Sequence, residues 1–302
     1  MRITVTGSSG FIGGALVAHL RAAGHDVRTL VRRPPVAAGE VHWDPMAGEV
    51  DRAALAGTEA VVHLAGAGVG DHRWTPAYKQ EILRSRTEGT RTLVTALGAL
   101  DPPPRVLVCA SAVGVYGDRG DETLTEDSPA GTGFLAGVVT AWEAEAARAT
   151  ADGIRVVSAR SGLVMAPHGG AFGRMLTLTR LGAGGPVGGG RQWWSWITLP
   201  DEVAALAFLL GAEELAGPVN LTTPAPQRQA DVSRAIGRAM HRPSVLPAPG
   251  FAVRAVLGEF AGEILASQRV LPARLAAAGF EFRHPDLDAA VAWLTAPAGA
   301  HD

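Results

Sequence analysis

Apolar positions fall into two alternating rhythms over the first two-thirds of the chain. Residues 3–5, 27–31, 59–66, 105–110, 154–160 and 219–222 form short runs rich in Val, Ile, Leu and Ala. Between them, residues 11–20, 76–100, 134–151, 172–181 and 201–210 carry apolar side chains at helical spacing, such as Leu16 with Leu20 and Leu93 with Leu97 with Leu100. Strands of this kind, apolar on both faces, suit a buried parallel sheet with helical crossovers. Asp101-Pro102-Pro103-Pro104 stops one helix, and Asp201 reads as the cap of another. Trp43-Asp44-Pro45 reads as a turn or short edge strand. Residues 169–191 are glycine-rich, a stretch able to cover a ligand, and 229–302 read as mostly helical with a proline-rich break at 242–250. The Pro/Ala/Gly-rich tail after Leu294 is expected to fray.

The first strand and helix are joined by Gly7-Ser8-Ser9-Gly10-Phe11-Ile12-Gly13. A glycine triplet alone is a weak signal, but strand, glycine turn and helix in that order form a dinucleotide cradle. Gly7 makes the tight turn, Gly10 lets backbone approach a pyrophosphate, and Gly13 lets helix pack on strand. The helix N-terminus then faces the anion. The second strand ends in Arg32-Arg33. An acidic residue there would bind the ribose hydroxyl of NAD, whereas an arginine suits the 2′-phosphate of NADP. Arg32 is assigned to that phosphate, with Arg33 as its neighbour. Leu64, Ala65 and Gly66 end the third buried run, where ligands pass in doubly wound sheets.

Composition narrows the partners. At 302 residues, 47% hydrophobic and 19% charged, the chain can bury a full core as one large domain or two joined ones. Net charge is −2 with no basic block, which points away from nucleic acid. Cys109 is the only cysteine, so no internal disulfide forms, and the nine histidines are scattered without the pairing of a zinc site. No apolar run reaches membrane-spanning length and no signal segment is visible, so the expectation is a cytoplasmic protein without a membrane partner.

Thr6-Gly7-x-x-Gly10-x-x-Gly13, His63-Leu64-Ala65-Gly66 and Val115-Tyr116-Gly117 resemble the extended short-chain dehydrogenase/reductases of the epimerase and dehydratase group. Arg73-Trp74-Thr75, Ser85-Arg86, Trp142-Glu143, Arg160-Ser161-Gly162, Gly184-Gly185-Pro186, Leu271-Pro272-x-Arg274-Leu275 and Gly279-Phe280-x-Phe282 resemble an atypical branch, the epimerase-family proteins with a C-terminal domain of unknown function. The resemblance spans nearly the whole chain. It implies a Rossmann-type doubly wound parallel α/β sheet with a smaller, mostly helical C-terminal substrate-side domain. Residues 1–165 with 195–222 would form the first domain, and 166–194 with 223–302 the second. It also implies NADP(H), with contacts at Gly7, Gly10, Phe11, Ile12, Arg32, Leu64, Ala65, Glu81 and Arg86.

Ordinary members use a tyrosine with a lysine four residues later for acid–base chemistry. This chain has two tyrosines, Tyr78 and Tyr116, followed at that spacing by Ile82 and Gly120, while its single lysine, Lys79, follows Thr75. Aligned on the helix before Trp142, the pair falls on Leu135 and Val139; the usual serine or threonine is Ala112, and the usual histidine is Thr198. Ser111 is adjacent to Ala112 but faces the other side of a strand. Three readings stay open: oxidoreductase or epimerase chemistry on a small molecule with other proton donors, a non-catalytic NADP(H)-dependent regulator with a protein partner, or a vestigial cofactor site holding another nucleotide. Tyr116 is the catalytic candidate, with Asp118 and His168 behind it. Trp193, Trp194 and Trp196 read either as a stacking surface or as core, with core favoured for at least one of them.

Overall fold

The computed structural model describes residues 1–297. Its main sheet is built from β1 (Arg2–Thr6), β2 (Asp26–Val31), β3 (Glu40–Asp44), β4 (Glu49–Val50), β5 (Ala60–His63), β6 (Val106–Ala112), β8 (Arg155–Ser161) and β12 (Gly217–Leu221). Their order is β12-β8-β6-β5-β1-β2-β3-β4. β1 pairs in parallel with β2 on one side and with β5 on the other, β2 with β3 and β5 with β6 likewise, and β4 closes the edge antiparallel to β3. The chain therefore winds outwards in both directions from the β1–β5 seam, where doubly wound sheets open a ligand crevice.

The chain divides into two compact units. The first holds residues 1–112, 134–160 and 203–219. Its core packs Leu30, Val61, Leu107 and Cys109 with Leu93 and Leu97 of α3 (Pro76–Gly98) and Trp142 of α4 (Phe134–Ala147). Trp43 belongs to this core rather than to a turn: Val41 and Trp43 alternate inwards on β3, and both are buried. The helix expected over 134–151 gives way to a 3-10 turn at Arg148–Asp152.

The second unit holds 113–133, 161–202 and 220–302. It thus takes in 113–133, 161–165, 195–202 and 220–222, which the sequence grouped with the dinucleotide domain. Its core joins Phe172 and Leu176 of α5 (Gly170–Arg180), Val232 and Ile236 of α7 (Gln229–Ala239), and Val291 and Leu294 of α11 (Leu287–Thr295). Trp194 and Trp196 lie in this core, Trp196 fully buried. Trp193 stays half-exposed between the guanidinium groups of Arg228 and Arg269, 4.2 and 4.6 Å from its ring centroid, and its Nε1 donates to Asp121 at 2.9 Å. The tail beyond Leu294 begins as the last residue of α11; residues 298–302 lie outside the described residues.

Asp201 does not cap α6 (Leu199–Gly211). It sits inside the first turn, and its carboxylate accepts the backbone N–H groups of Arg283 and His284 at 2.7 and 3.0 Å. The hydroxyl of Thr198 donates to Asp201 at 2.9 Å and faces His284 Nδ1 at 3.0 Å. A buried carboxylate needs such donors, and the distant segment supplies them. No described helix is long and apolar enough to cross a membrane.

Candidate functional site

A cavity of about 1060 Å³ lies in the first unit beyond the carboxyl ends of β1, β2 and β5. Gly7, Ser8, Ser9 and Gly10 form one wall, Val31, Arg32 and Arg33 the next, and Leu64 to Gly68 with Glu81 and Ser85 the third. Its shape follows from the glycines. Gly7 has φ +67°, which disfavours any L side chain, and a Cβ there would lie 2.8 Å from the Leu64 carbonyl. A Cβ on Gly13 would collide with the Gly7 carbonyl oxygen, so α1 (Phe11–Ala22) can approach β1 only with glycine at that position. Gly10 begins the helix without a side-chain cap, leaving the turn open to a ligand.

The floor is fixed by a buried hydrogen-bonded chain. Thr6 Oγ1 accepts the N–H groups of Leu64 and Ala65, each at 3.1 Å. Its own proton therefore goes to His63 Nδ1 at 2.7 Å. His63 Nε2 then carries the single ring N–H and donates to Thr90 Oγ1 at 3.0 Å, which also accepts Trp142 Nε1–H at 2.9 Å. Complete burial, with the Arg86 charge nearby, pushes the His63 pKa down to about 4, so the ring is neutral as this chain requires.

Side chains around the cavity differ in how far they are committed. Arg33 pairs with Glu40 at 2.5 Å; that contact and the N–H groups of Val36 and Ala37 hold the Glu40 carboxyl down at about 2. Arg32, exposed in the same wall, makes no hydrogen bond or ion pair among the described residues, and neither does Glu81. The pairing separates two arginines that sequence alone left side by side: Arg32 is the one free to meet an anion. Arg86 does not line the cavity. It donates to the Ala67 carbonyl at 2.9 Å, lies within 3.3 Å of where a Gly66 Cβ would be, and stacks over Trp142 at 5.0 Å. Ser85 Oγ accepts Ala67 N–H at 3.1 Å, so Ser85 and Arg86 together grip the loop after β5. Phe11, half exposed, and Ile12 sit in the first turn of α1 outside the wall, and Gly13 is buried behind it.

Neither tyrosine is placed as a free acid. Tyr78 lines the cavity, but its hydroxyl donates to the Gly68 carbonyl, and burial, helped by Asp71, raises its pKa. Tyr116 is fully buried in the second unit, and its hydroxyl donates to Asn220 Oδ1 at 2.8 Å. Asp118 accepts the N–H groups of Gly120 and Ser267 at 3.3 and 3.1 Å, a turn role, and His168 is exposed. Ser111, at the end of β6, donates to Glu143 at 2.5 Å, and Arg160 grips both oxygens of Glu143 at 2.8 Å. This knot was not foreseen: its members lie 17 and 32 residues apart, and only the paired motifs Trp142-Glu143 and Arg160-Ser161-Gly162 hinted at it.

Residues 3–221 match the model of the NAD dependent epimerase/dehydratase family. The chain belongs to that family. Residues 248–294 match a second model, a domain of unknown function, DUF1731. An epimerase family protein of Mycobacterium bovis, Mb2239, is 45% identical over 298 residues, covering 98% of each chain. The cattle epimerase family protein SDR39U1 is 39% identical over 296 residues, covering 96% of this chain and 98% of its own. A crystal structure described as human SDR39U1 (isoform 2) with NADPH superposes with a TM-score of 0.90 at 35% identity, covering 97% of this chain and 99% of that one. The expected fold and atypical branch are thereby established.

Proposed function

We propose that the cavity binds NADP(H) and that the chain is an oxidoreductase or epimerase acting on a small molecule without a Tyr-x-x-x-Lys pair. One observation carries the cofactor reading: a glycine cradle at the β1–β5 seam opens onto an arginine, Arg32, that no acidic side chain has claimed. The fit follows from the glycines: Gly7 holds the tight turn, Gly13 lets α1 pack onto it, and Gly10 leaves backbone open to a pyrophosphate. The human SDR39U1 structure, described with NADPH, supports the same reading.

When bound, the nicotinamide supplies or accepts a hydride. The chain's own groups do the rest. Gly7 and Gly10 offer backbone at the pyrophosphate, and Arg32 meets the 2′-phosphate. Leu64, Ala65 and Gly66 pass under the cofactor on the Thr6–His63 floor, and Glu81 stands ready to accept a ribose hydroxyl. Phe11, Ile12, Gly13 and Arg86 shape these walls from behind. With both phenols donating elsewhere, proton transfer falls to another group, and His72 is the imidazole in the cavity wall, edge-on to Tyr78 with ring centroids 5.0 Å apart.

The same engagement of both phenols favours a second reading, a regulator that binds NADP(H) without turnover. The two separate in one assay: protein loaded with NADPH is mixed with a panel of carbonyl compounds and nucleotide sugars while the reduced-nicotinamide absorbance is followed. Its decay with any panel member supports the enzyme. An unchanging signal across the panel, with a partner protein captured only in the NADPH-loaded state, supports the regulator.

A further inference from the structure

Charge pairing is uneven over the surface of the second unit. Arg119, Arg228, Arg234 and Arg274 each pair with a carboxylate, Glu122, Asp121, Asp231 and Asp127 in turn. In the second unit there is no Asp or Glu between positions 161 and 200 or between 232 and 258. Arg174, Arg180, Arg238, Arg242 and Arg254 are all exposed in these stretches, and none forms an ion pair among the described residues. The chain as a whole carries −2, so this concentration of unpaired positive charge is local.

The same stretches hold every exposed large apolar side chain of the second unit. Leu178 is 51% exposed, Leu181 77%, Val245 73%, Leu246 59%, Phe251 77% and Val256 73%. The segments that carry Leu246 and Phe251 meet the loop that follows α5. A Cβ on Gly185 would collide with the Leu246 carbonyl, Ala248 N–H donates to Pro186 at 2.8 Å, and Gly188 N–H donates to Ala248 at 2.8 Å. Residues 185–188, which follow α5 and Leu181, are therefore tied to residues 246–248, which lead into α8 (Gly250–Leu257) and Phe251.

Exposed apolar side chains and unpaired cations carried by the same acid-free stretches fit a surface that is apolar within and anionic at its rim. We propose that this corner docks on an anionic lipid bilayer, Phe251, Leu246 and Leu181 entering the headgroup boundary while the arginines meet phosphodiesters. Guanidinium forks match phosphate oxygens in geometry as well as charge. A second copy of the chain is a poor occupant, because two identical faces would bring unpaired arginines against each other. This docking differs from a membrane span and is independent of the NADP(H) cavity. The sequence points away from a membrane partner because it has no long apolar run, whereas these side chains are scattered over positions 178–256 and their segments meet only in the fold.

The test is sedimentation of the full chain with vesicles. One set is phosphatidylcholine alone; the other contains about one-third phosphatidylglycerol. The full chain should bind the mixed vesicles at least about tenfold more tightly, with binding falling as salt screens the charge. Arg242→Ala and Arg254→Ala should each weaken binding on the order of fivefold. The Leu246→Asp/Phe251→Asp double variant should weaken it about tenfold or more, with an unchanged melting temperature because both positions face solvent. Arg52→Ala and Arg148→Ala, exposed in the first unit, should change it less than about twofold. Equal binding to both vesicle sets, no binding to either, or equal losses from the control and corner arginines would overturn the proposal. So would a concentration-dependent dimer that Phe251→Asp dissolves.

Discussion

Beyond β1, β2 and β5, polar side chains stand uncommitted around a cavity: Arg32 and Glu81 have no partner among the described residues. At the ends of β6 and β8 in the same unit, they are consumed. Ser111, Glu143 and Arg160 satisfy one another, with Arg160 9% and Glu143 18% exposed. The difference teaches how to tell a site from a scaffold. A group held ready for a ligand carries unspent hydrogen-bonding capacity, whereas a buried group with all its partners inside the chain holds the fold. On that criterion the cradle is a binding site. The knot serves structure.

The largest expected effect comes from breaking the knot. Glu143→Ala strands the Arg160 guanidinium in the interior without its carboxylate, and should cost about 3 kcal/mol or more in urea unfolding. The folded fraction should keep its dinucleotide affinity. A parallel loss of affinity with little loss of stability would make the knot part of the site.

Next in size is the floor of the cradle. The folded pKa of His63 is about 4, below its ordinary 6.5, so the unfolded chain takes up a proton first as pH falls. Its stabilising contribution is complete above pH 6.5 and is lost on descending towards 4, about 3 kcal/mol across the window. Glu202 runs the other way. It is fully buried, held by Ser161 at 2.6 Å with its second oxygen unpartnered, and burial pushes its pKa up to about 7. Its contribution is therefore lost as pH rises from 4.5 through 7. Stability measured from pH 4 to 7 should rise more steeply with pH in Glu202→Gln than in the parent protein, and less steeply in His63→Gln. Parallel curves for all three would remove both assignments.

These networks explain what was legible in the sequence and what was not. Local rules fixed the cradle: three glycines at strict spacing after a β-rich run, then a helical pattern. The same rules found β1, β2, β5, β6 and α3, whose periodicity is strong. They missed β3 as a core strand because Trp43-Asp44-Pro45 reads as turn chemistry, while its parallel pairing to β2 is a tertiary choice. They misread Asp201 as a cap because its true donors lie 82 and 83 residues later. Cofactor-site positions split along the same line. Arg32's place at the end of β2 makes it a candidate for an anion in the sequence, but only Arg33's engagement with Glu40 sets the two apart in the structure.

Smaller effects separate the two kinds of residue further. Arg32→Ala should lose about 2 kcal/mol of NADPH binding, the worth of a hydrogen bond to a charged group, with thermal stability unchanged because the side chain is exposed. Tyr116→Phe removes the hydroxyl that donates to Asn220. It should cost about 1 kcal/mol of stability and leave any NADPH-dependent turnover intact. Abolished turnover with unchanged stability would return Tyr116 to the catalytic role that the sequence first suggested.

The central claim is that an unclaimed Arg32 makes the glycine cradle an NADP(H) site. Calorimetric titration of the parent protein and Arg32→Ala with NADPH and with NADH tests it most directly. The parent should bind NADPH at least about tenfold more tightly than NADH, and in Arg32→Ala that gap should close while NADH affinity stays as it was. Equal affinities in the parent protein, or no binding of either nucleotide, would contradict it.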